Sequence, residues 1–418
     1  MTSAGGRHHR RRHRFRGRGY FHALGPGLIT GAADDDPSGI GTYAQVGATL
    51  RFDLLWTAVI SLPLAAAVVE LASRLGLVED KGLCSVVRER FPRWVVYPVL
   101  ALVIAANTFN IGADLRSMGA ALQLVLPIPQ MLGAGAFAVV IAVLEIRVPY
   151  VRYAKLLRWL VLSLVSYAVV LAAVHVPWGS VLRQTFVPRF VGDREHLAAL
   201  IAIFGTTISP YLFFWQAAEE VEGSPSDEAP TQPEIRAMRV DVIAGITAGV
   251  FAMFAIMTAT GVTLGAHAAS IQTAEQAAKA LRPIAGDLAG LLFALGIIGT
   301  GLLAIPTLAG SSAYALAEAA HWNEGLSRTF RQAPGFYSTI VAGVVVGLAM
   351  SFGGVKPIHA LFLAAVFNGL AAPPIIVLML AASRSDALGN WKSGPVSCAL
   401  VAVTALVMAI LPLLYLFR

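Results

Sequence analysis

Charge is scarce in this chain. Asp, Glu, Lys and Arg make up 13% of its 418 residues, about half the share of an ordinary soluble domain. No stretch between its apolar runs is long enough to form a core of its own, which argues against an appended catalytic or signalling domain. Cysteine is nearly missing: Cys84 and Cys398 are too few for a disulfide framework and lack metal-ligand spacing. Histidine stays away from both polar breaks described below, so no imidazole site is expected there. A cleavable leader is not expected either, because the first apolar segment is long, carries Asp residues and lacks a small-residue cleavage site.

What remains is apolar. Hydrophobic residues make up 57% of the chain, and the mean hydropathy is +0.70. Eleven runs are each long enough to cross hydrocarbon, at about 24–48, 52–75, 95–124, 131–147, 155–176, 195–222, 238–264, 286–318, 336–352, 357–382 and 394–417. The reading is an all-α, multi-pass membrane protein with one transmembrane domain, 24–418, behind a basic tail, 1–23. With the amino terminus inside, most of the 31 Lys and Arg fall on the cytoplasmic side. The Arg/His-rich tail is therefore read as a topology anchor near anionic lipid, not a nucleic-acid arm. A monomer in the plasma membrane is expected.

Two of the spans are broken. In the first, Asp34-Asp35-Asp36-Pro37-Ser38-Gly39 interrupts the apolar run; in the sixth, Thr206-Thr207-Ile208-Ser209-Pro210-Tyr211 does so. Proline removes a helical hydrogen bond, and lipid cannot satisfy the freed carbonyls, so each break must line a cavity inside protein. A carboxylate at mid-membrane costs about 2.5–3.5 kcal/mol on insertion scales, so three in a row need a reason. The breaks fall five spans apart. Five is odd, so the second set enters from the opposite side, which is the inverted repeat of many secondary transporters. The repeats are read as 24–176 and 195–382, with 394–417 as an eleventh span. Acids at one break and no cationic side chain at either point to a cation.

The third span carries a polar stripe of Asn107, Asn110, Asp114 and Ser117, spaced to share one helical face. It suits a vestibule, or hydrogen bonds to a neighbouring helix. Arg116 lies off that face and is expected to pair with an acid on another span, Glu70 being the candidate. Glu219, Glu220 and Glu222 read as a solvated helix end. Gln216, Asn368 and Tyr43 are weaker site candidates.

At these residues the chain resembles the NRAMP family of divalent-metal transporters. Gly25-Pro26-Gly27-Leu28 through Asp36-Pro37-Ser38-Gly39 is similar to the family's first helix. The stretch from Leu54-Leu55-Trp56 to Glu70-Leu71-Ala72-Ser73-Arg74 is similar to its second. The resemblance implies a LeuT-type fold: two inverted five-helix repeats plus one helix, with helices 1 and 6 discontinuous. It places Asp36 on the family's metal-binding Asp, and Ala33 and Thr206 where backbone carbonyls contact metal. Gly39 stands in place of a binding Asn, Ser209 in place of Met, and Tyr211 in place of His. Two proton-linked acids become Ala113 and Arg116, although a one-residue slip restores Asp114.

These replacements remove soft donors and leave oxygen, which favours Mg²⁺, Ca²⁺ or Mn²⁺. They resemble the NRAMP-related magnesium transporters. The expectation is a Mg²⁺ importer, carrying Mn²⁺ as well, without proton coupling. Inward transfer of two charges gains about 4.6 kcal/mol per 100 mV of inside-negative potential. Asp36 is expected to be the principal ligand, with the Ala33 and Thr206 carbonyls beside it. Asp34, Asp35, Ser209 and Tyr211 are expected to act directly or through retained water. No cofactor is expected, the metal being cargo. The rivals are a proton-coupled Mn²⁺/Fe²⁺ importer, a LeuT-type amino-acid or amine permease, and a membrane-embedded enzyme with paired aspartates.

Overall fold

Proline marks where several of the helices begin, since its fixed φ and missing N–H suit the first helical position. A computed structural model describes residues 36–148, 165–223, 230–265 and 271–417. The main helices are α1 (Pro37–Leu50), α2 (Trp56–Glu79), α3 (Leu83–Arg90), α4 (Arg93–Gln123), α5 (Gln130–Arg147), α6 (Val165–Ala173) and α7 (Trp178–Phe186). They continue as α8 (Arg194–Thr207), α9 (Pro210–Gly223), α10 (Gln232–Thr263), α11 (Ala289–Ala320), α12 (Pro334–Ser351), α13 (Pro357–Ala382) and α14 (Pro395–Leu416). No strand occurs among the described residues.

Nine segments among the described residues are long and apolar enough to cross a membrane. The other two of the eleven expected spans are described only in part, the first from Asp36 onward and the fifth from Val165 onward. The basic tail, Ala33, Asp34 and Asp35 lie outside the described residues.

The sixth span divides as expected. α8 ends at Thr207, α9 starts at Pro210, and Ile208 and Ser209 between them are not helical. α1 starts at Pro37 with Asp36 as its cap in extended backbone, φ −64° and ψ 170°. The packing follows the repeat. α1 lies against α10, and α9, five spans later, lies against α2. Likewise α4 packs on α5 as α11 packs on α12, and α4 and α11 pack on each other.

Glycine sets one close approach that matters for the site. A Cβ on Gly205, one turn before the second break, would sit 2.0 Å from the Ala365 carbonyl oxygen. A Cβ on Gly369 would sit 2.7 Å from the Ile201 carbonyl oxygen. α8 and α13 therefore touch backbone to backbone, as small-residue contacts in membranes allow.

Two expectations fail here. Arg116 does not pair with Glu70: its guanidinium donates to the Ser351 carbonyl at the end of α12. Glu70 instead takes Arg74, one turn along α2, and Arg239 of α10, whose Nε lies 2.9 Å away. Arg74 also reaches the Trp391 carbonyl at 2.7 Å. Nor is Glu222 a solvated helix end. Its carboxylate is half-buried and accepts from the Tyr314 hydroxyl and from the Leu326 and Ser327 amides, the latter two at 2.8 and 3.2 Å. Helical spacing within one span says nothing about such partners, because most of them lie on other elements.

Candidate functional site

Asp36 is 1% exposed and sits between the breaks. Its Oδ1 accepts from the Ser38 hydroxyl at 2.6 Å and from the Gly39 amide at 2.7 Å. Its Oδ2 accepts from Asn110 Nδ2 at 2.9 Å. An unpaired buried charge costs several kcal/mol, and these three donors, together with the positive end of the α1 dipole, offset part of that cost. Gly39 thus serves the carboxylate through its N–H, in place of a side chain.

The second break supplies hydroxyls and carbonyls. Ser209 Oγ lies 2.7 Å from the Gly205 carbonyl and 2.9 Å from that of Thr206, so its single proton serves the freed end of α8. The expected metal-facing carbonyl of Thr206 is therefore also an acceptor for Ser209. Two contacts stitch the breaks together. Ser38 Oγ gives its proton to Asp36, which makes Thr206 Oγ1 the donor in their 3.3 Å contact. Thr207 Oγ1 donates to the Ile203 carbonyl at 2.8 Å, so the Tyr43 hydroxyl donates to Thr207 across 3.0 Å. Tyr211 is fully buried at the start of α9.

α4 brings its polar stripe to the same place, but only partly. Asn110 Nδ2 also donates to Asp114 Oδ2 at 3.0 Å, so one amide spans two buried carboxylates. Asn107 is used elsewhere: it donates to Ser311 and Ser312 of α11 at 3.1 and 2.9 Å, a helix-to-helix link. Gln216 donates to Glu220 at 3.1 Å, one turn along α9. Asn368 of α13 proves stronger than its sequence signal, donating to Asn110 Oδ1 at 3.1 Å. The signal available was a lone amide in the middle of an apolar span. Ser38, read from sequence only as a small neighbour, holds the carboxylate.

The chemistry of this donor set is oxygen. Among the described residues no three of His, Cys, Asp and Glu gather as a metal cage. Asp36 nevertheless brings a carboxylate beside the Ser38 and Thr206 hydroxyls, which are 3.3 Å apart. Asp114 Oδ1 and Asn368 Oδ1 are buried without a hydrogen-bond partner among the described residues. Buried acceptors without donors are uncommon, and these two lie beside the amide that Asp36 shares.

A cavity of about 550 Å³ opens at one end of the molecule, lined by Gln45, Thr49, Glu195, Gln272, Lys356 and His359. Glu222 and its three donors close the opposite end, linking α9 to α11 and the loop after it. A divided sixth span facing the capped start of α1, within helices that pack as an inverted repeat, open toward one end and tied at the other, defines a class: an alternating-access membrane transporter.

Comparison with known proteins gives the family. The model of the Nramp family, natural resistance-associated macrophage protein-like, matches residues 27–418. The chain belongs to the Nramp family, whose members are transporters and not enzymes. It is 26% identical over 393 residues to the divalent metal cation transporter MntH of Aeromonas hydrophila, covering 90% of each chain. To the MntH of Deinococcus radiodurans it is 26% identical over 375 residues, covering 88% of this chain and 83% of the relative. Among solved structures, the Eremococcus coleocola manganese transporter superposes with a TM-score of 0.72 at 19% identity, covering 94% of this chain and 85% of that one. Mhp1, a nucleobase-cation-symport-1 family transporter, superposes with a TM-score of 0.61 at 14% identity, covering 93% of this chain and 90% of that one. The LeuT-type fold expected from sequence is the fold observed.

Proposed function

We propose that this chain carries a divalent metal ion, Mn²⁺ first and Mg²⁺ with it, inward across the plasma membrane by alternating access. The carrying observation is Asp36: one buried carboxylate at the start of α1, held by the Ser38 hydroxyl and the Gly39 and Asn110 N–H groups and facing the hydroxyls of the break between α8 and α9. Oxygen ligands suit Mn²⁺ and Mg²⁺ alike. Relatives named as divalent metal cation transporters, and a structural neighbour named as a manganese transporter, favour Mn²⁺ over the Mg²⁺ expected from sequence. With the amino terminus inside, the 550 Å³ cavity faces out. Ala33, Asp34 and Asp35 remain proposed contributors from the residues just before Asp36, and Thr206, Ser209 and Tyr211 from the second break.

Proton coupling is the better reading of the driving force, on one observation. The uncoupled expectation rests on Tyr211 standing in place of a His and on Ala113 and Arg116 standing in place of acids, yet it is Asp114 that shares Asn110 with Asp36. A cation arriving at Asp36 changes the charge that a second buried carboxylate faces, which is what moving a proton inward together with the metal requires. Uptake into proteoliposomes, with internal pH followed at the same time, tests both parts. Mn²⁺ should enter and Mg²⁺ compete, and the lumen should acidify with metal uptake. Transport without acidification returns the proposal to the uncoupled form; no divalent uptake ends it.

A further inference from the structure

Both ends of the Asn110 amide have partners. An asparagine side chain offers two N–H donors and one carbonyl oxygen. Here the nitrogen lies 2.9 Å from Asp36 Oδ2 and 3.0 Å from Asp114 Oδ2, and the oxygen accepts from Asn368 Nδ2 at 3.1 Å. Asn110 is 0% exposed, and so are Asp114 and Asn368. The three partners come from three places: the first break, the next turn of α4, and α13. If the amide turned over, its oxygen would face two carboxylate oxygens with no proton between them, and its nitrogen would face the Asn368 donor. The bond from Asn368 holds it the right way round.

We propose that Asn110 is a positioning residue for metal transport. It aims the Asp36 carboxylate at the space between the breaks while keeping Asp114 at arm's length, and Asn368 fixes its orientation. This rests on the reading of Asp36 as the metal ligand. Two carboxylates in a low-dielectric pocket repel each other, and a shared neutral donor is what lets both be held without direct contact. Asp36 then approaches the cation through a carboxylate already aligned by Ser38, Gly39 and Asn110, so less ordering remains to be done on binding. Asn110 acts through Asp36: both its nitrogen and its oxygen already have protein partners.

The test compares Asn110→Ala in the wild-type and Asp114→Asn backgrounds, with Mn²⁺ as the probe, in proteoliposomes matched for protein content. In the wild-type background the half-saturating Mn²⁺ concentration should rise roughly tenfold or more, the usual consequence of losing a charge-assisted hydrogen bond, with the maximal rate little changed. In the Asp114→Asn background the same substitution should cost only about threefold, because the lost bond to Asp36 is then not compounded by repulsion from a second carboxylate no longer held apart. Asn368→Leu, which leaves the amide in place but unlocks its orientation, should shift half-saturation in the same direction by a smaller factor. A merely structural role predicts equal losses in both backgrounds, or a fall in maximal rate at unchanged half-saturation, and either result overturns the proposal. Absence of Mn²⁺ uptake by the wild-type chain overturns the transport reading and this inference with it; wild-type uptake with equal losses overturns the positioning role alone.

Discussion

At the first break the chain presents a carboxylate at the start of a helix, and at the second it presents carbonyls at the end of one. Asp36 caps α1, taking the Gly39 amide at 2.7 Å. Ser209 covers the loose carbonyls of Gly205 and Thr206 that close α8. The first break therefore contributes a full negative charge and the second only partial ones. Their support differs in kind as well. Asp36 is held by polar bonds from Ser38 and Asn110, whereas α8 is held by close backbone contact between Gly205 and α13. On the proposed function, a cation between them would meet one strong, aimed ligand and a rigid wall of weaker oxygens. The inverted repeat thus duplicates the geometry of a broken helix without duplicating its chemistry.

Asp36→Ala should break the comparison outright. Metal uptake should fall by a factor of about one hundred or more, because no other carboxylate at the described breaks takes its place, and losing a charged partner in a buried site costs several kcal/mol. Near-normal flux at wild-type protein levels would show that the two breaks are equivalent after all. Gly205→Val attacks the other kind of support. Its added carbons would meet the Ala365 carbonyl and the Gly369 backbone at 2.0 and 2.5 Å. Overpacking of that sort typically costs 1–3 kcal/mol, so the melting temperature in detergent should drop by several degrees. An unchanged melting curve would mean that α8 and α13 separate freely.

Ser209→Met sharpens the chemical side of the contrast by adding a soft donor to the oxygen wall. Competition should shift toward Cd²⁺ over Mg²⁺ by about tenfold, and an unchanged order of metals would place Ser209 away from the cargo. Tyr43→Phe is the mildest intervention, removing the hydroxyl that donates to Thr207 across the junction. A cost of about 1 kcal/mol in stability is expected, with uptake reduced less than about threefold. A larger loss of uptake than of stability would promote the Tyr43–Thr207 contact from a stitch to part of the transport cycle.

Much of this site is written in local signals. Asp36-Pro37 and Ser209-Pro210 declare the breaks because proline and polar residues in a lipid-length run have few other uses. The stripe on α4 was visible from spacing, and Asn110 and Asp114 are indeed buried together. The same spacing also put Asn107 in the stripe, and it went to α11. Asn368 looked minor because its partner Asn110 stands 258 positions away. Arg116 and Glu222 were misread for a related reason: a charge in an apolar context must find a partner, but composition does not say which element supplies it.

The amino-acid order by itself determined that the chain crosses a membrane repeatedly, that its sixth span breaks before Pro210, and that a carboxylate at Asp36 and hydroxyls at Thr206, Thr207 and Ser209 stand within apolar runs. Those are local consequences of hydropathy, proline and the cost of a carboxylate in lipid. Only the tertiary structure decided that Asn110 would join Asp36 to Asp114, that Asn368 would lock it, and that Glu222 would close one end on Tyr314. Hydrogen bonds are short and directional, so their partners are chosen when helices from distant parts of the chain come to rest against one another.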